Sequence, residues 1–152
     1  YNISATCGKL FRRTLFDEYT LRTPREIVMG EDMLMNLRLA FASSKPVRLV
    51  GGNSVYNYIQ HGGNITHVFK LTADYEYVFH KERLLSIPEE EHARYMPVMI
   101  YRRLRMLRRI LRCAQKDNTV EELRTSAFVK ELLADILALS ALEALAISRK
   151  CG

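Results

Sequence analysis

Glycine is almost missing from more than half of this chain. The sequence holds seven glycines in 152 residues, and none falls between Phe69 and Lys150. That absence removes glycine-dependent turns and phosphate-cradling loops from the C-terminal part. Cysteine is sparse too. Cys7, Cys113 and Cys151 are odd in number, far apart and without CxxC spacing. Neither a disulfide framework nor a structural zinc site is therefore expected, and a reducing compartment fits best. Long apolar runs are also lacking. The most apolar stretch, 132–147, is interrupted by Asp135 and Glu143. It falls short of the roughly 20 residues that span a bilayer, so we expect a helix buried against its neighbour. No stretch near the start has the basic-then-apolar layout of a signal peptide. Finally, acid is missing where base is dense: from Arg94 to Lys116 there are eight basic residues and no acidic one.

What is present divides at about residue 68. Before it, the pattern is mixed. Residues 3–11 read as a short strand ending in a turn at Gly8. Arg12 to Glu18 reads as a short helix. From Asp32 to Ala42 the apolar positions Leu34, Leu37, Ala40 and Phe41 recur at helical spacing. Ser43, Ser44 and Pro46 then stop the helix. Residues 46–50 and 54–60 flank Gly51-Gly52 and read as a hairpin or adjacent strands. His61-Gly62-Gly63-Asn64 reads as a loop.

Beyond residue 68 helical periodicity dominates. One helix is expected over Leu71–Leu85, ended by Ile87-Pro88. A second is expected from near Glu90 to Lys116, with Pro97 as a kink or late first-turn residue. Asp117-Asn118-Thr119 reads as a turn with an N-cap. A last helix is expected from about Val120 to Ser148.

Two groups of residues carry chemistry. Glu31-Asp32 follows Gly30 at the start of the predicted helix. Aspartate there is a good N-cap, and its charge suits the positive end of the helix dipole. The competing reading is a general base, because a carboxylate at a cleft mouth can take the proton of an attacking hydroxyl. The other group is the run 100–112. Ile100, Leu104, Leu107 and Leu111 form one stripe, and Arg102, Arg105, Arg109 and Arg112 occupy much of the other side. A solvated face, an anionic membrane surface and nucleic acid all compete for that face. Nothing marks a recognition helix, so nucleic acid is not expected as a partner. Tyr56 and Tyr58 share one strand face and could stack on a sugar ring or simply pack. His61 is either a solvent-exposed loop histidine or a residue near bound phosphate. It and His67 lack metal-ligand spacing.

Residues from about Ser4 to Thr66 resemble the C-terminal portion of the family-2 glycosyltransferases of GT-A fold, bacterial enzymes that build surface polysaccharides. Three pieces occur in that family's order: Gly8-Lys9-Leu10-Phe11-Arg12-Arg13, Gly30-Glu31-Asp32-Met33-Leu34-Met35-Asn36-Leu37-Arg38, and Tyr56-Asn57-Tyr58 with Gly63-Asn64-Ile65-Thr66. The resemblance implies an α/β (GT-A type) fragment, rich in helix, in which a few strands precede a C-terminal helical region. It divides the chain into an acceptor-side part, 1–68, and a helical tail, 69–152. It makes Asp32 the catalytic base with Glu31 beside it, and it puts Lys9, Tyr56 and Tyr58 at the acceptor and His61 near the donor or metal.

The implied reaction moves a sugar from a nucleotide-sugar donor to a hydroxyl of a glycan or lipid-linked acceptor, with inversion. Its divalent metal (Mg or Mn) is held by an Asp-x-Asp motif. This chain has none, so neither metal nor donor is expected on it, and the fragment alone is expected to be inactive. The implied location is the cytoplasm, at the inner face of the membrane if Arg102, Arg105, Arg109 and Arg112 touch lipid. Open strand edges would promote self-association. A non-catalytic basic helical module that binds a membrane or a protein partner is the alternative reading.

Overall fold

The computed structural model describes residues 9–46 and 69–140. Among these residues 71% are helical and none forms a strand. The expectation of a mixed α/β fragment with a few strands is therefore corrected. Residues 9–11, the described end of the first expected strand, are irregular backbone. The remaining described segments carry apolar residues at three- and four-residue spacing, which buries a stripe only when the chain is helical. The expected hairpin around Gly51-Gly52 lies outside the described residues.

The chain forms two compact units. One comprises 1–69 with Leu85–Ile87, and the other comprises 70–84 with 88–152.

The first unit begins with a short 3-10 turn, Arg13–Leu15, and a single helical turn, α1, Glu18–Leu21. The predicted helix over 12–18 is thus split. Asp17 is the reason, because it leaves the helical path to cap α1. Its side chain accepts the Thr20 N–H at 2.7 Å, and Thr20 Oγ1 accepts the Asp17 N–H at 2.8 Å. This reciprocal pair satisfies two amide donors at once. It also holds the exposed Asp17 carboxyl below the ordinary aspartate range.

The helix α2, Glu31–Ala42, follows a turn near Ile27. Its buried side comprises Met33, Leu34, Leu37 and Leu39. Arg38 is buried with them and is held from several sides. Its Nε donates to Ser86 Oγ at 2.9 Å, and its Nη1 donates to the Arg22 carbonyl. The Tyr19 ring lies 5.6 Å from its guanidinium carbon. Tyr19 in turn donates its hydroxyl to the Leu85 carbonyl at 2.9 Å. The step Leu85–Ile87 thereby completes this unit, with Ser86 and Ile87 buried.

The second unit is built on a long helix. The helices are α3 (Ala73–Leu85), α4 (His92–Asp117), α5 (Val120–Thr125) and α6 (Ala127–Leu137). Ile100, Ile110 and Ala114 of α4 meet Leu123 of α5 and Phe128 and Leu132 of α6 in one buried cluster. Leu104, Leu107 and Leu111 border that cluster, so the apolar stripe of the sequence is the inner face of α4. Pro97 sits inside α4, five residues past its start, and the helix continues through it. The carbonyl that loses a partner there belongs to Ala93, which is exposed to water.

The α4 helix ends at Asn118, whose left-handed backbone (φ 57°, ψ 33°) turns the next amide back, so that the Thr119 N–H reaches the Ala114 carbonyl at 2.9 Å. Asparagine is one of the few residues that takes this conformation readily. Thr119 occupies the N-cap of α5, but its side chain makes no capping bond.

The single helix expected over Val120–Ser148 is broken at Ser126. Ser126 takes extended backbone, its hydroxyl donates to the Leu123 carbonyl at 2.7 Å, and it accepts the Val129 N–H at 3.3 Å. A serine that can cap on one side and close a turn on the other competes with continuous helix. No helix among the described residues is long and apolar enough to cross a membrane.

Candidate functional site

Gly30 sets the geometry of the carboxylate pair. It adopts a left-handed conformation (φ 86°, ψ 13°), which costs glycine nothing and would strain a side chain bearing Cβ. From there the chain turns directly into α2, and the Gly30 carbonyl accepts from Met33 and Leu34 at 3.0 and 3.3 Å. Gly30 is thus the N-cap, and no side chain caps this helix. The N-cap reading of Asp32 is corrected, because Asp32 lies inside the first turn with Glu31 before it.

Burial fixes which way this turn faces. Met33 is 5% exposed and Leu34 1%, so they anchor the turn, while Glu31 is exposed and Asp32 half-exposed. No ion pair with a described residue engages either carboxylate. Free helix amides and the dipole stabilise the charge at this end. The arrangement can hold a carboxylate ready to accept a proton from a bound hydroxyl.

The other expected site residues fall as follows. Lys9 is half-buried in the irregular segment that opens the described first unit. Tyr56, Tyr58 and His61 lie outside the described residues. Arg102, Arg105, Arg109 and Arg112 are exposed along α4 in the second unit. Glu31 and Asp32 are therefore adjacent, and the four arginines share one face. Two surface depressions are formed by other described residues. One is bordered by Glu18, Tyr19, Arg22 and Thr23, and another by residues of α4, α5 and the segment before α3.

Sequence reasoning missed a buried charge cluster in the second unit. Arg103 is 0% exposed, the inward member of a run read as uniformly basic. Its Nη1 pairs with Asp135, its Nη2 lies 3.9 Å from Glu131, and it donates to the Phe128 carbonyl at 3.3 Å. Lys81 Nζ holds the second Glu131 oxygen at 2.6 Å. His80 is fully buried, with Nε2 3.7 Å from Glu131. On the same helix Arg83 lies 3.5 Å from Glu76, both buried, and its guanidinium stacks 4.8 Å from the Phe79 ring.

Burial, followed by the charges of Arg103, Arg83 and Lys81, pushes the His80 pKa down to about 3. Burial raises the Glu76 carboxyl despite the pull of Arg83. The signal was present in the sequence. Arg103 sits three residues after Ile100 and four before Leu107, on the inner stripe. Glu131 and Asp135 are four apart and flank Leu132 on its own helix.

His80, Glu131 and Asp135 offer ligand atoms within 4.8 Å of one another. A divalent ion does not fit there. Arg103 and Lys81 already compensate both carboxylates, and Arg83 adds a third cation to the field. A dication would have to displace a fully buried guanidinium and leave it unpaired, which is costly. We read the cluster as a structural ion network.

With this geometry in hand, comparison with known proteins adds nothing further: no protein-family model, curated protein or solved structure matches the chain.

Proposed function

We propose that this chain supplies the acceptor side of a family-2 glycosyltransferase, with Asp32 as its general base. The observation that supports the reading is the Gly30–Asp32 corner. A half-exposed carboxylate stands in the first turn of α2, on a turn anchored by Met33 and Leu34 and without an ion-pair partner among the described residues. In the reaction, the acceptor oxygen forms a bond to the anomeric carbon as its proton passes to the Asp32 carboxylate. The bond from that carbon to the nucleoside diphosphate breaks, and the diphosphate leaves with the electron pair. Attack from the face opposite the leaving group inverts the centre. In such a reaction the divalent ion would sit with the donor diphosphate, held by an Asp-x-Asp motif that this chain lacks.

A second reading has one observation in its favour. Asp32 in a first turn is accounted for by the helix dipole alone, which suits a non-catalytic helical module. Asp32→Asn in the natural full-length polypeptide separates the two. Release of nucleoside diphosphate is followed with a panel of nucleotide sugars and glycan or lipid-linked acceptors. The base reading expects a loss of roughly 10²–10⁴-fold at unchanged circular dichroism. Full activity in the variant would overturn it.

A further inference from the structure

The α4 helix is two-sided in a way that limits what its outer side can do. Its inner side is consumed by the core cluster of Ile100, Ile110 and Ala114. A surface-seeking amphipathic helix inserts its apolar side among acyl chains. Here that side is unavailable. What remains is an outer row of exposed cations, Arg102, Arg105, Arg109, Arg112 and Lys116, at successive steps of three and four residues. At 1.5 Å per residue the row runs about 21 Å.

Three arginines at the middle of the row present their charge outward. Arg105, Arg109 and Arg112 make no ion pair with a described residue. The acid that closes α4, Asp117, is held by Lys70 Nζ at 2.7 Å. Val98, four before Arg102 and 47% exposed, shares the face, as does Arg94, which pairs with Glu91 at 3.4 Å. Tyr101, beside the row, packs against the core cluster, and no aromatic residue lies from Arg102 to Lys116. A single-stranded nucleic acid would find no base-stacking platform there, and no Asn or Gln on the row reads base edges. A straight line of like charges, without stacking or readout groups, matches a flat and chemically uniform array of anions.

We propose that the outer face of α4 adsorbs to an anionic lipid bilayer by headgroup contact alone, without helix insertion. This does not rest on the glycosyl-transfer reading, since a non-catalytic chain would adsorb as well. Each arginine near such a surface adds about fivefold in partitioning, and the attraction decays within a Debye length.

Flotation of the full chain with phosphatidylcholine vesicles, with and without about 30% phosphatidylglycerol, tests it. Binding is expected only to the anionic vesicles, and it should vanish in about 1 M salt, where the Debye length is about 3 Å. The variant Arg105→Gln/Arg109→Gln/Arg112→Gln should bind on the order of a hundredfold more weakly or worse. Arg105→Lys/Arg109→Lys/Arg112→Lys should bind as the parent does. A charge-matched control, Arg25→Gln/Arg124→Gln/Lys130→Gln, should retain most binding. Equal binding to neutral vesicles, salt-resistant binding, or equal loss in the control would each overturn the proposal. Failure to bind anionic vesicles would overturn it as well, and tight binding to random-sequence DNA instead would assign the face to a phosphate backbone.

Discussion

The two units treat carboxylates in opposite ways. In the first, Glu31 and Asp32 stand at the open start of α2, engaged with no cation among the described residues. In the second, buried Glu76 lies against buried Arg83, and the half-buried Glu131 and Asp135 lie against Lys81 and the buried Arg103. A carboxylate already bound to a buried guanidinium is spent on architecture, because releasing it strands a charge. A carboxylate stabilised only by helix amides keeps its lone pairs for a visitor. The contrast supports the proposal that chemistry belongs to the first unit, and it gives the carboxylates of the second a structural role.

The contrast breaks most severely at Arg103. Arg103→Ala leaves Asp135 without its guanidinium and removes a bond to the Phe128 carbonyl. A loss of about 3–5 kcal/mol is expected in urea unfolding. A change under about 1 kcal/mol would show that the network holds nothing together.

His80 provides a pH test of the same interior. Its folded pKa lies below its unfolded value, so the unfolded chain binds the extra proton first. Stability is complete above about pH 6.5 and falls as pH drops toward about 3. The slope is at most about 1.4 kcal/mol per pH unit, or about 2 kcal/mol between pH 6.5 and 5. Arg103, Arg83, Lys81 and Glu131 all face this ring and set that slope together. Glu76, raised by burial, gains its proton earlier in the folded state and flattens the slope at the acid end. Chemical denaturation at stepped pH should show the slope in the parent and lose it in His80→Leu.

A smaller effect is expected at the α5–α6 joint. Ser126→Ala removes the cap on Val129 and should cost about 1 kcal/mol, read as faster amide exchange at the start of α6. The smallest belongs to the first unit. Asp32→Asn should shift stability by less than about 1 kcal/mol, since only a dipole interaction is weakened. A loss comparable to that of Arg103→Ala would mean that Asp32 is structural after all.

Much of the helix pattern could be read from spacing. Leu34 and Leu37 marked α2, Ile100, Leu104 and Leu107 marked α4, and Pro88 marked the break before it. These signals are local, because one stripe of apolar residues at three- and four-residue steps suffices. The errors came where a side chain acts beyond its own turn. Ser126 ends a helix through two hydrogen bonds that composition does not announce. Arg103 looked like its neighbours, and only its phase on the helix sends it inward to an acid more than thirty residues away. Gly30 took the cap from Asp32 because a left-handed backbone, not a side chain, starts α2. Of the candidate site, the Glu31-Asp32 pair was legible as a carboxylate pair opening a helix. Its exposure and anchoring required the packing of Met33 and Leu34.

The opposed sides of α4 also bear on inheritance. On the outer side a cation is needed only as a charge, so lysine and arginine should interchange freely among descendants at 105, 109 and 112. On the inner side Arg103 serves as a planar fork that reaches two carboxylates and a carbonyl at once, which an ammonium cannot reproduce. Position 103 should therefore drift only together with 131 and 135, and that coupled drift would be the lasting record of the network within a lineage.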